Sequence, residues 1–314
     1  MKLFKIIGNI AAILALIFIV LRLRRYDIPW ERLLVPRMLL TYLLCAVAYA
    51  GCVLGSALLW VRFADTFAQD GNALRGHYGV AVRTYAKSNL YKYIPGNIFH
   101  FIGRNELAVQ FKMSHAAVAA ATLVEILFQT ASAMLLSMLL IGPYTLGYIK
   151  AHMIQYALLI SVGALMVAVA FLLIVFRKKK CVIEKLSELY SMLRDRMGLR
   201  HGVLCFAGVI ALQIAGGLNF TAVLRLCNPS GVQTGRVKIL IGTYVLSWLA
   251  GFITPGAPGG IGIRELILTT SIAGSGIARE SVVLSASVLY RFVSILGDLM
   301  AFLFVFVFCL RKRN

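Results

Sequence analysis

The sequence predicts an all-α polytopic membrane protein with about seven to eight spans and two Pro/Gly-broken re-entrant segments in a pseudo-repeat. Three observations predict it. Of the 314 residues, 60% are hydrophobic and 14% charged, and the mean hydropathy is +0.85. Several apolar runs reach about 18 residues or more, the length that crosses roughly 30 Å of hydrocarbon. One otherwise apolar region is interrupted by PGAPGGIGIRELIL, Pro255 to Leu268.

Length and composition place the chain, residues 1–314, in a single integral membrane domain. Its half-repeats cover about 1–150 and 200–310, with a basic loop at 177–201 between them. The net charge is +20. In a chain this apolar, that charge points to basic loops held against anionic lipid headgroups, or to a basic cavity for an anionic substrate, and not to nucleic acid. The cysteines Cys45, Cys52, Cys205, Cys227 and Cys309 lie in or beside apolar runs, and Cys181 follows a basic one. None forms a CxxC, and the five histidines are scattered, so no metal site and no cofactor are expected.

The spans follow in order. Leu3–Leu21 has no small-residue cleavage site after it and reads as an anchored helix. A basic loop (Arg22, Arg24, Arg25, Arg32, Arg37) leads to a second span, Met38–Val61. Residues 62–92 mix basic, apolar and aromatic positions and read as an interfacial amphipathic segment. The third span is His115–Ile141 and the fourth His152–Phe176. The loop 177–201 carries eight basic residues against three acids and is expected in the cytoplasm. The fifth span is Gly202–Leu226, the sixth Val237–Thr254 and the last Val282–Leu310. If Tyr93–Glu106 dips in and returns, the N-terminus is cytoplasmic. The loop at 22–37 then lies outside, against the positive-inside rule. The expected location is the plasma (inner) membrane.

The broken stretch has a counterpart. Pro95-Gly96 is followed by Gly103, Arg104 and Glu106; Pro255-Gly256 is followed by Gly259, Gly260, Gly262, Arg264 and Glu265. Proline to arginine is nine residues in both copies, and the copies stand 160 residues apart. Interrupted hydrophobic segments at matching positions of two halves mark binding sites in transporter folds. Proline and glycine end a helix inside the membrane and leave amide N–H groups and a positive helix end free for an anion. An arginine beside them adds a permanently charged planar fork for phosphate oxygens. A nearby glutamate can neutralise that arginine until a ligand arrives. The plainer alternative is an Arg–Glu pair that pins the turn.

Polar residues within spans are costly and need a role. Glu125 and Gln129 are one turn apart on one face, and Arg291 and Asp298 share another. Structural pairing and cavity lining are both open to them. Gln213 and Asn219 read as interhelical hydrogen-bond donors.

FITPGAPGGIGIRELIL, followed by VLYRF, resembles the signature of the lysylphosphatidylglycerol synthase transmembrane-region family, a flippase-like family. KYIPGNIFHFIGR is similar to its other glycine-rich segment, although Phe99 and His100 stand where small residues are expected. The resemblance covers essentially the whole chain. It implies about eight spans, two re-entrant segments and, as in the family's best-understood members, translocation of an aminoacylated phospholipid between leaflets; for this chain the expected cargo is an anionic phospholipid or polyprenyl-linked glycolipid. By position it implies that Arg104, Glu106, Arg264, Glu265 and Arg291 line the lipid path, and Glu125 joins them from the residue reading. The chain ends four residues after its last apolar run, so it is not expected to aminoacylate lipid itself, and no enzymatic activity is expected. The expected partners are membrane lipids and a separate lipid- or glycan-modifying enzyme. The alternative functions are a non-transporting partner of an envelope glycosyltransferase or synthase, and an ion-coupled small-solute transporter.

Overall fold

The computed structural model describes residues 35–68, 74, 77–93, 99–105, 113–142, 197–228, 234–254, 260 and 262–311. Among them every regular element is helical. These are α1 (Pro36–Phe67), α2 (Tyr78–Asn89), α3 (Phe99–Gly103), α4 (His115–Gly142), α5 (Gly198–Cys227), α6 (Val237–Ile253), α7 (Ile263–Gly274) and α8 (Glu280–Arg311). Short 3-10 turns, Leu90–Tyr93 and Thr234–Arg236, follow α2 and precede α6. The expected spans Leu3–Leu21 and His152–Phe176, and most of the loop 177–201, lie outside the described residues.

Four helices are long and apolar enough to cross a membrane: Met38–Phe67, His115–Gly142, Gly198–Cys227 and Glu280–Val307. They coincide with the second, third, fifth and last spans read from the sequence. Between 28% and 39% of each apolar window is buried, so most of that surface faces outward. On α1 the exposed residues Leu40, Leu43, Leu44 and Val47 form one stripe at helical spacing. Apolar surface of this extent requires lipid against it rather than water. The chain is a helical membrane protein.

α1 starts cleanly because Pro36 sits in its first turn, where no intrahelical donor is needed. Its inward face is built of small residues, including Cys45, Ala46, Ala50 and Ala57, all buried. α8 crosses there. A Cβ on Gly297 would lie 2.8 Å from the Ala46 carbonyl oxygen, so glycine lets the two backbones meet.

α6 is apolar all round, and ten of its residues are buried, from Ile239 to Gly251. Its 17 residues correspond to about 26 Å of helix, less than a full hydrocarbon thickness. Thr254 leaves it in extended conformation, at the start of the proline–glycine stretch. α7 resumes after Gly262, whose φ of +91° suits glycine. α7 packs against α6 and α8.

The segment 62–92 differs from its expected interfacial placement. Residues 62–67 continue α1, and α2 buries Ala81, Val82, Tyr85 and Ala86 against α1 and α8. Amphipathic periodicity marks a buried face without telling whether lipid or protein covers it. Here protein does.

The chain divides into two compact units, residues 1–140 with 205–314, and residues 141–204. Within the second, the described residues are the end of α4 and the start of α5. All site residues described below belong to the first.

Gly297→Ala should lower stability by about 1–3 kcal/mol through overpacking against α1. Thermal unfolding of the purified protein in detergent, followed by size exclusion, reads this. Gly51→Ala, where a Cβ meets nothing within 4 Å, should stay within about 0.5 kcal/mol of the parent.

Candidate functional site

A cavity of about 510 Å³ lies inside the first unit, and every described helix contributes to its wall. Its size is that of a small-molecule or headgroup site. Much of the wall is apolar, with residues such as Val53, Leu212, Val245 and Leu268. Among the described residues four cations line it, Lys92, Arg104, Arg264 and Arg291. Three of them are neutralised.

Arg104 follows α3, which sits against the turn after α2. A Cβ on Gly103 would stand 2.7 Å from the Tyr91 ring and 3.1 Å from the Ser88 Cβ. That close approach delivers Arg104 to α4, where its Nη1 donates to Glu125 Oε2. The guanidinium lies 4.3 Å from the Tyr85 ring centroid, 5.2 Å from Phe101 and 5.4 Å from Trp60. Glu125 also accepts from Tyr85 Oη at 2.8 Å and Gln129 Nε2 at 3.2 Å. Arg104 is 2% exposed and Glu125 3%, so each is the other's necessary counter-ion.

In the second half the signs are exchanged. Here the short helix supplies the acid: Glu265, in the first turn of α7, accepts the Gly262 amide N–H at 2.7 Å. Its Oε1 lies 2.7 Å from Arg291 Nε and 2.6 Å from Nη2 on α8. Nε donates a hydrogen bond, whereas Nη2 is close enough for the ion pair but not directed along one. Ser287 Oγ adds a long contact at 3.4 Å. α7 lies outside the four long spans. Burial alone would push the Glu265 carboxyl up; the Arg291 guanidinium outweighs it and holds the group below its usual range.

The third pair joins Lys92 to Asp298, at 2.7 Å from Nζ to Oδ2. Asp298 also accepts from Asn89 Nδ2 at 2.7 Å and from the Tyr93 hydroxyl. Lys92 donates further to Tyr49 Oη at 3.3 Å.

Arg264 is different. Among the described residues no carboxylate forms an ion pair with it. Its adjacency to Glu265 in sequence does not make them partners, because successive helical residues point about 100° apart. Its aliphatic stem threads between two glycines. A Cβ on Gly251 would lie 2.7 Å from Arg264 Cγ, and one on Gly260 would lie 2.8 Å from Gly251 Cα. Gly260 has φ +72°, so glycine is required there for conformation and for room. The guanidinium ends 5.6 Å from the Tyr244 ring centroid, with Tyr290, Tyr49 and, beyond ion-pair distance, the Glu265 carboxylate as further neighbours. Tyr244 and Tyr290 hydroxyls are 3.0 Å apart, and Tyr290 Oη donates to the Gly216 carbonyl at 3.3 Å. Tyr49 accepts from Lys92 and keeps its own proton to donate.

His100 also lines the cavity, and its Nδ1 has no partner among the described residues. Burial, then the charges of Arg104 and Lys92, lower this imidazole to about 3, so it is neutral. Gln213 donates to the Gln129 carbonyl at 2.8 Å and Asn219 to the Cys45 carbonyl at 2.9 Å, the interhelical bonds expected of them. Among the described residues no three His, Cys, Asp or Glu side chains converge as a metal-holding group.

Arg104, Glu125, Arg264, Glu265 and Arg291 are thus brought to one cavity. Glu106, Pro95, Gly96, Pro255, Gly256 and Gly259 lie outside the described residues. Two features departed from the sequence reading. Asp298 pairs with Lys92 and not with Arg291, and Lys92, read as part of an interfacial run, belongs to the site. Its position directly before the first proline–glycine break was the available signal. The tyrosines around Arg264 carried none, since tyrosine is ordinary in a membrane helix. No protein-family model, curated protein or solved structure matches the chain.

Glu125→Met should cost about 3–5 kcal/mol because it strands the Arg104 charge in a buried site. Arg104→Met with Glu125→Met should recover most of that loss. A double-mutant cycle on thermal unfolding in detergent measures the coupling.

Proposed function

We propose that this chain is a flippase-like carrier that moves a lipid with an anionic headgroup across the bilayer. The observation that carries the reading is Arg264. It is a cation without a carboxylate partner among the described residues, held in a cavity whose other three described cations are neutralised. An unpaired guanidinium in a low-dielectric site is costly, and an anion that enters the cavity relieves that cost. The guanidinium offers a planar fork to phosphate oxygens, and the Tyr49 hydroxyl can donate beside it. The apolar outer faces of α1, α4 and α8 leave the acyl chains in lipid while the headgroup occupies the polar interior.

On this reading the chain is a member of the lysylphosphatidylglycerol synthase transmembrane-region family. It has seven to eight spans in the plasma membrane, a cytoplasmic N-terminus, and Tyr93–Glu106 and Pro255–Leu268 as re-entrant segments. Arg104–Glu125 and Glu265–Arg291 fasten each broken segment to the span that follows it. They hold the walls while the headgroup binds to Arg264.

Reconstitution tests it. In zwitterionic vesicles, the protein should accelerate exchange of a labelled anionic phospholipid between leaflets. Arg264→Ala should slow this about tenfold to hundredfold, the equivalent of a lost charge-assisted contact, and Arg264→Lys should retain part of the rate. Wild-type exchange in Arg264→Ala would sink the proposal.

A further inference from the structure

We propose that the cavity selects a headgroup bearing a single negative charge, a phosphodiester monoanion, and rejects phosphomonoester and diphosphate lipids, which bring two. This rests on the reading of the cavity as a headgroup site and narrows it by charge. Among the described residues, Lys92, Arg104, Arg264 and Arg291 stand against Asp298, Glu125 and Glu265. Four cations against three carboxylates leave one positive charge, on Arg264. His100 adds none, being neutral.

A second phosphate charge would therefore have to take a cation from one of the three pairs. None is loosely held. Asp298 accepts from Lys92, Asn89 and Tyr93. Glu125 accepts from Arg104, Tyr85 and Gln129, and Glu265 from Arg291 and the Gly262 amide. Releasing any of these cations would strand a buried carboxylate, which costs more than the added phosphate contact returns. The phenols about Arg264 do not supply the missing charge. Tyr244 and Tyr290 share one hydrogen bond in which either hydroxyl can donate, and Tyr290 Oη also meets the Gly216 carbonyl; these phenols and Tyr49, which accepts from Lys92, are neutral donors at most. A singly charged diester fits this arrangement, whether it is a glycerophospholipid or a polyprenyl monophosphate sugar.

Phosphatidylmethanol and phosphatidate with identical acyl chains differ by one methyl group and, at about pH 8, by roughly one charge. Wild-type protein in zwitterionic nanodiscs should bind phosphatidylmethanol at least about tenfold more tightly than phosphatidate or a polyprenyl diphosphate, as read by native mass spectrometry or competition with a fluorescent lipid. Glu265→Gln keeps an acceptor for Gly262 but frees Arg291, and should shift the preference about tenfold toward phosphatidate. The wild-type comparison decides the matter even if that variant does not fold. Equal or tighter wild-type binding of the dianionic lipids overturns the charge selection and leaves the carrier reading intact. If neither phospholipid binds above the zwitterionic background, the carrier reading fails and this inference with it. Dimethyl phosphate competing as well as the lipid would support the charge selection and overturn the lipid as its source.

Discussion

The constraint on which this structure depends is the cost of a bare charge in a medium of low dielectric constant. Removing an ion from water costs several kcal/mol even after relaxation, and a membrane bundle has little water to return. Lys92, Arg104 and Arg291 are tolerable inside because Asp298, Glu125 and Glu265 each sit within ion-pair distance. Lys92–Asp298 ties together elements distant in sequence, and the other two pairs tie a short element to the long helix after it, so electrostatic necessity becomes a set of tertiary ties. Arg264 stands outside this scheme, with no carboxylate at ion-pair distance among the described residues.

The two broken segments use the same economy of parts with opposite signs. After the first break the short element presents arginine and the following span presents glutamate. After the second, the short helix presents glutamate and the span presents arginine. Either arrangement binds a segment too short to be stable alone to a long helix that is. Glycine decides how near the partners come. Gly103 seats α3 on Tyr91 and Ser88, and Gly251 with Gly260 opens the channel for the Arg264 stem. A side chain at Gly103 would push α3 off Tyr91 and Ser88, and one at Gly251 or Gly260 would displace the Arg264 stem.

Much of the site was legible as residue types and little of it as partnerships. Arg104, Glu125, Arg264, Glu265 and Arg291 stand out because charge in an apolar run is rare, and the structure places all five on one cavity. The pairings were not legible. Arg264 and Glu265 are neighbours in the chain but diverge on α7, while Arg291 reaches Glu265 across 26 residues. Lys92 was hidden by its context, since a basic residue near an amphipathic segment is ordinary at a membrane surface.

The amino-acid sequence by itself determined that this is a helical membrane protein and where four of its apolar spans run; it also marked, by proline and glycine, where α6 gives way to α7. Those properties follow from local composition: runs of apolar residues, and prolines and glycines that no helix interior accommodates. Which carboxylate meets which cation, and therefore which charge is left over, was decided only by the tertiary structure. Ion pairing depends on distances between helices, and periodicity along one helix carries no information about the helix beside it. Arg264 is marked in the sequence by its motif; that no described carboxylate pairs with it is a property of the fold.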